Sequence, residues 1–319
     1  MSFSDTFEVS GRRAPARRPA WTLRVGFVLS ALTLFTLPQT AFAAPEPGTT
    51  AIETASLSGT STLETLGSTR RWLGPDDQPL PFATDAEIVD FLQHADVIQR
   101  KVLSSGSTKP TKVLLEKDGV RANAIFRTVD VKTGKGHRAF KDCYHFEVAA
   151  YETARLLGLD NVPPAVERRL DGKSGSMQLW VENARSETER IAEGGRHKSM
   201  SKIIFQKHTM RVFDQLIYNF DRNTGNVLVD DDGKLWMIDH TRAFKAKPIL
   251  PKGKAVEVLH HSTWQRLQNL DVEILEQRLG PHLDPLQMAA LLKRHQLLVE
   301  YIEQRIETLG EDQVLFGSV

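Results

Sequence analysis

A helix-like run that feeds a polar turn, then a hairpin that ends on a second acid, constrains this chain more than any other feature. Residues 219–226 read NFDRNTGN. They follow SKIIFQKHTMRVFDQLIYN, in which Ile204, Phe205, Val212, Phe213, Leu216 and Ile217 recur at helical spacing. NVLVD and KLWMID then flank Asp231-Asp232-Gly233, whose turn chemistry predicts a hairpin, and the second segment ends on Asp239. Strand alternation over Lys234–Asp239 puts Leu235, Met237 and Asp239 on one face. A carboxylate closing an apolar face needs a partner, and a cation serves. DRNTGN alone is equally compatible with a plain helix-to-strand turn, because Asn, Asp and Gly make turns for reasons unrelated to function. The helix before it, the hairpin after it and Asp239 together favour a site.

Other phosphate and metal motifs are missing. GKSGS at 172–176 contains Gly-Lys-Ser, but Glu167 sits where the first glycine of a P-loop belongs. Read as a calcium loop, DRNTGNVLVDDD puts Gly225 at a ligand position and Asn226 where glycine is needed. One cysteine, Cys143, excludes an intrachain disulfide and reads as a buried filler. Neither paired cysteines nor a His-x-x-x-His helix is present, so spacing predicts no zinc site. What does fit is protein-kinase spacing, an Asp and an Asn five residues apart, then a hairpin and a metal-binding Asp. In that chemistry Asp221 accepts a hydroxyl proton, while Asn226 and Asp239 hold divalent ions that bridge the phosphates.

Upstream, the pattern predicts strands near 97–103, 111–116 and 121–129, a helix from about Asp142 to Leu157, and two more strands in VPPAVERRL and SMQLWVE. SSGSTKP, at 104–110, lies where a phosphate-covering loop belongs, so Gly106, Ser107 and Thr108 are candidate nucleotide contacts, although a polar turn reads the same way. The third strand, RANAIFRTVD, has Arg127 where a kinase carries lysine; it keeps the charge but changes the geometry. Glu147 shares a helix stripe with Ala150, Ala154 and Leu157 and needs a partner there, unless it lies at a solvent edge. The expected fold is α+β and two-lobed, protein-kinase-like: a small antiparallel β lobe with one helix (83–182) and a larger, mostly helical lobe carrying the hairpin (183–319).

The start of the chain has a different character. Arg12, Arg13, Arg17, Arg18 and Arg24 precede an apolar run from Val25 to Leu37, and Ala41-Phe42-Ala43 resembles a small-x-small cleavage site. Residues 1–43 therefore read as a signal peptide, or as a membrane anchor if uncleaved, and 44–82 as a disordered Pro-, Gly-, Ser- and Thr-rich linker. Either reading exports the folded part, to the periplasm or the extracellular space, or tethers it to the membrane. The net charge of +1 gives no sign of a nucleic-acid partner.

EVAAYETARLLGLDNVPPAVERRLDGKSGSMQLWVE and FDQLIYNFDRNTGNVLVDDDGKLWMIDHTRAF, with the export signal, resemble the atypical secretory-pathway kinases, the Golgi casein kinase and four-jointed families, over about Thr84 to Phe244. A more distant likeness is to phosphatidylinositol kinases. The resemblance implies ATP and Mg²⁺ or Mn²⁺ as cofactors, Asp221 as catalytic acid, Asp239 as principal metal ligand, Asn226 as second ligand and Glu147 as structural helix acid. It implies transfer of the γ-phosphoryl group to a hydroxyl on a protein. A nucleotide-binding pseudokinase and a lipid or sugar kinase are the alternatives. Arg127 and the lone cysteine depart from the family pattern.

Overall fold

A computed structural model of the chain describes residues 72–104, 108–133, 140–253 and 255–317. The expected export segment and linker up to residue 71, and Gly106 and Ser107 of the expected phosphate loop, lie outside these residues. Among the described residues no helix is long and apolar enough to cross a membrane.

Helix α1 (Asp85–His94) begins with a reciprocal cap, in which Thr84 Oγ1 accepts from the Glu87 amide and Glu87 accepts from the Thr84 amide. The alternating segments that follow form β1 (Asp96–Val102), β2 (Thr111–Lys117) and β3 (Val120–Arg127). A hairpin not anticipated from sequence, β4 (Asp130–Thr133) and β5 (Phe140–Cys143), leads into α2 (His145–Leu156). Then come β6 (Ala165–Leu170) and β7 (Lys173–Leu179). The five-stranded sheet runs β1-β2-β3-β7-β6, with every pair antiparallel.

Alternation gives this sheet two different faces. Val113, Leu115, Ala122, Ala124, Phe126, Met177 and Leu179 pack into one core with Ile88, Phe91 and Leu92 of α1. Ile125 and Arg127, opposite Gln178 and Ser176, belong to the other face. Trp72 and Leu80 are buried in the first core, so the stretch 72–82, assigned to the linker by composition, is anchored at these two side chains. A few apolar anchors among Gly, Pro and Asp suffice, and composition averages them away.

The second part contains β8 (Ala184–Ser186), α3 (Glu187–Ala192), α4 (Met200–Leu216), β9 (Val227–Asp230) and β10 (Leu235–Met237). The hairpin at 231–233 forms, with Asp230 accepting from the amides of Asp232 and Lys234 and from the Trp236 indole. The remainder is β11 (Leu259–His260), α5 (His261–Gln268), α6 (Val272–Leu279), α7 (Pro285–Leu309), α8 (Glu311–Val314) and β12 (Leu315–Phe316). His260 caps α5, its side chain accepting from the Ser262 amide. Phe146 and Ala150 of α2 share a core with Val212, Phe213 and Leu216 of α4 and Leu291, Leu298 and Ile302 of α7. Thus α2, although it lies between strands of the sheet in sequence, buries its apolar face against the helical body.

Candidate active site

The polar turn after α4 is shaped by one buried arginine. Asp214, in the last turn of α4, pairs with Arg222 at 3.0 Å and accepts from Asn219 Nδ2 at 3.1 Å. Arg222 Nη1 donates to the carbonyls of Asn226, at 2.7 Å, and Ile238, at 2.8 Å. One guanidinium therefore staples the end of the turn to the end of the hairpin. The Ile238 amide also donates to the Asn226 carbonyl at 3.2 Å. Asn226 Nδ2 donates to the Asp221 carbonyl at 3.1 Å. Asp221, Asn226 and Asp239 are brought together by these links.

Asp239 has φ 57, a left-handed conformation that costs roughly 1 kcal/mol or more for a residue with a Cβ. Bonds on both sides hold it there: the Ile238 amide to Asn226, and the His240 amide to Glu147 Oε1 at 3.1 Å. Thr241 Oγ1 donates to Asp239 Oδ1 at 3.2 Å. Arg242 reaches Asp221 Oδ2 at 3.1 Å and Asp142 Oδ2, on β5, at 2.9 Å. Burial lowers the Arg242 pKa, but Asp142, Asp221 and Asp239 outweigh it and raise it.

Glu147 is fully buried and faces Arg127 on β3, with Arg127 Nε 3.5 Å from Oε1. The pair is a single approach rather than the two-pronged fork that an arginine offers, because His240 supplies the hydrogen bonds to both carboxylate oxygens. Burial pushes the Glu147 carboxyl up; Arg127 and the His240 ring and amide overcome it and hold it at about 2. Lys141, the nearest other basic residue before the helix, pairs instead with Asp130 across the β4–β5 hairpin at 3.2 Å.

His240 joins the two halves of this network. Its Nδ1 lies 3.2 Å from Glu147 Oε2, and its Nε2 lies 2.9 Å from Arg222 Nη2. A carboxylate needs a donor and a guanidinium needs an acceptor, so the ring is neutral with its proton on Nδ1. Burial, the largest influence, lowers its pKa in the same sense. An unbroken buried chain results, Asp214–Arg222–His240–Glu147–Arg127, with two acids, two guanidiniums and a neutral ring.

Of the residues singled out from sequence, Asp221, Asn226 and Asp239 meet at one place, and Arg127 and Glu147 meet at the other end of the His240 chain. Thr108 is half-buried on the approach to β2. Cys143 is buried, and burial pushes its thiol up to about 11, away from thiolate chemistry. Sequence reasoning missed Arg222, Asp214, Asp142 and Arg242. For Arg222 the signal was its place inside DRNTGN; for Arg242 it was a lone basic residue three positions past Asp239.

No protein-family model matches the chain, and no curated protein matches it in sequence. Solved structures do match. A structure of hydra Fam20 with sugar is 16% identical with a TM-score of 0.55, covering 72% of this chain and 91% of that one. The Golgi casein kinase with Mn/ADP bound is 16% identical with a TM-score of 0.53, covering 72% of this chain and 78% of that one. At this identity the likeness establishes the fold, which is kinase-like.

Proposed function

We propose that this kinase-like chain is an exported phosphotransferase that moves the γ-phosphoryl group of ATP to a hydroxyl on a protein. The observation that carries the reading is the convergence of Asp221, Asn226 and Asp239 on two backbone ends stapled by Arg222. Asn226 and Asp239 would hold Mg²⁺ or Mn²⁺. Asn226 commits Nδ2 to the Asp221 carbonyl, which leaves Oδ1 as its ligand atom, and Asp239 offers carboxylate oxygen. An all-oxygen donor set suits a hard divalent cation. When bound, such an ion neutralises charge on the phosphates.

The chain's own residues supply the rest. The acceptor oxygen bonds to the γ-phosphorus as the bond from that phosphorus to the β–γ bridging oxygen breaks, and Asp221 takes the hydroxyl proton. Arg242 holds Asp221 by Oδ2, leaving Oδ1 to receive that proton. Arg127 carries positive charge on the nucleotide-facing side of β3, and Glu147 fixes it there. The Arg-rich start, the apolar run and Ala41-Phe42-Ala43 support export, with mature protein beginning near Ala44.

Incubating the full chain with γ-labelled ATP and Mn²⁺ or Mg²⁺ tests the reading. Label should transfer to the protein itself or to an added protein acceptor, and Asp221→Asn should lower the transfer by about 10²–10⁴. Tight nucleotide binding without any transfer by the wild type would overturn the enzyme reading in favour of a pseudokinase.

A further inference from the structure

Away from the site above, three side chains from distant parts of the chain converge. His145 opens α2, Glu167 lies on β6, and His282 follows α6. One ligand atom from each lies within 4.8 Å of the other two. Nδ1 of His145 is 3.4 Å, and Nδ1 of His282 4.0 Å, from the same Glu167 oxygen, Oε2. Both Nδ1 atoms are shielded from solvent and neither makes a hydrogen bond. Buried ring nitrogens are normally satisfied, and two unsatisfied ones aimed at one carboxylate oxygen call for a cause. Tyr144 donates to the other Glu167 oxygen, Oε1, at 3.2 Å, as an outer partner orienting a ligand would.

We propose that His145, Glu167 and His282 form a zinc-type metal site, separate from the nucleotide-linked cation, that clasps α2 to β6 and to the segment between α6 and α7. Ligand atoms at about 2.0–2.2 Å from a tetrahedral ion stand about 3.3 Å apart, so the three need to close by less than about 1.5 Å. Two imidazoles and one carboxylate make a borderline donor set that selects zinc and its first-row neighbours over Mg²⁺. The site is invisible to motif spacing because its ligands are 22 and 115 residues apart. His145 stands two positions before Glu147, so an ion held here would brace the helix that carries the buried acid. The site does not depend on phosphotransfer and is tested without it.

The test is metal binding by the chelator-stripped full chain in excess Mg²⁺. Zn²⁺ is titrated by calorimetry and by thermal melting, and Co²⁺ is added as a spectroscopic probe. The wild type should bind one equivalent of Zn²⁺, melt higher with it, and give the intense visible bands of four-coordinate Co²⁺. His145→Ala, His282→Ala and Glu167→Gln should each weaken Zn²⁺ binding by at least about 100-fold, beyond the loss of an outer partner. Asp239→Asn should bind Zn²⁺ as the wild type does. Glu167 is half-exposed, so Glu167→Gln keeps the test informative if a histidine variant fails to fold. Absence of Zn²⁺ binding in excess Mg²⁺, binding that survives in Glu167→Gln, or binding lost in Asp239→Asn would each overturn the site. If transfer activity is absent while this binding holds, the proposed function fails and the metal site stands.

Discussion

Replacing Arg127 with alanine tests the buried chain where its charges are least screened. Glu147 has no exposure, and Arg127 is only 5% exposed. Without the guanidinium the carboxylate keeps two donors from His240 but loses the positive charge that stood 3.5 Å away. Folding holds the Glu147 carboxyl at about 2 instead of 4.5, against the upward push of its burial. At about 1.4 kcal/mol per pH unit, that difference corresponds to about 3 kcal/mol. The same order, about 3–5 kcal/mol, is typical when one partner of a buried pair is removed. For a body of this size the loss would lower the melting temperature by roughly 6–12 °C. Glu147→Gln should cost a similar amount, since it leaves Arg127 unpaired. Arg127→Ala combined with Glu147→Gln should cost clearly less than the two single changes added together, because both charges leave at once. Arg127→Lys, which keeps the charge, should lose less stability than Arg127→Ala and retain transfer. Urea and thermal melts of the four variants at neutral pH supply the cycle. If Arg127→Ala melts within about 2 °C of the wild type, or if the single changes simply add, the charge argument is wrong.

Four further outcomes follow from the same geometry. In chelated buffer stability should be full above pH 6.5. It should fall as acid protonates the unfolded chain at the position of His240, whose folded pKa is lowered, and fall more steeply from pH 4.5 towards 2 as the Glu147 contribution is lost. Glu147→Gln should flatten only the lower limb of a melting-temperature profile, and an unchanged lower limb would count against its buried charge. Asp221→Asn should lower transfer by about 10²–10⁴ while nucleotide affinity stays within a few-fold, whereas Asp239→Ala should weaken Mn²⁺-dependent nucleotide binding itself, both read by titration and labelled transfer. Arg242→Gln should lower turnover about 10-fold without changing nucleotide affinity, since it frees the Asp221 carboxylate to rotate; equal losses in both would show a folding defect. Trp72→Ala should cost about 3–5 kcal/mol in a urea melt, against nearly nothing if residues 72–82 were a linker.

Where a single segment carries its own instruction, the sequence was enough. Alternation placed β1, β2 and β3, the Asp231-Asp232-Gly233 turn placed the β9–β10 hairpin, and helical spacing placed α4. Asn226 bonds the Asp221 carbonyl and accepts from the Ile238 amide just before Asp239, because a helix end and a two-stranded turn allow few other arrangements. What stayed hidden depends on contacts between distant segments. Arg222 holds Ile238, sixteen positions away, and Glu147 meets His240 ninety-three positions away. The β4–β5 hairpin went unnoticed because its arms are four residues each, too short to display a period. Trp72 and Leu80 were lost in a polar, glycine-containing stretch whose average composition says nothing about two buried side chains.

The Trp72 and Trp236 rings, with centroids 5.0 Å apart and planes inclined by 51°, also make the protein its own optical gauge. Two indoles this close and this skewed share their excitation, so the ultraviolet circular dichroism should contain a paired signal that neither ring gives alone. Trp236 sits on the hairpin that delivers Asp239, and Trp72 on the segment that precedes α1. The signal therefore reports whether the entry segment is seated on that hairpin, and it can be followed without a dye or label while nucleotide, metal or denaturant is added.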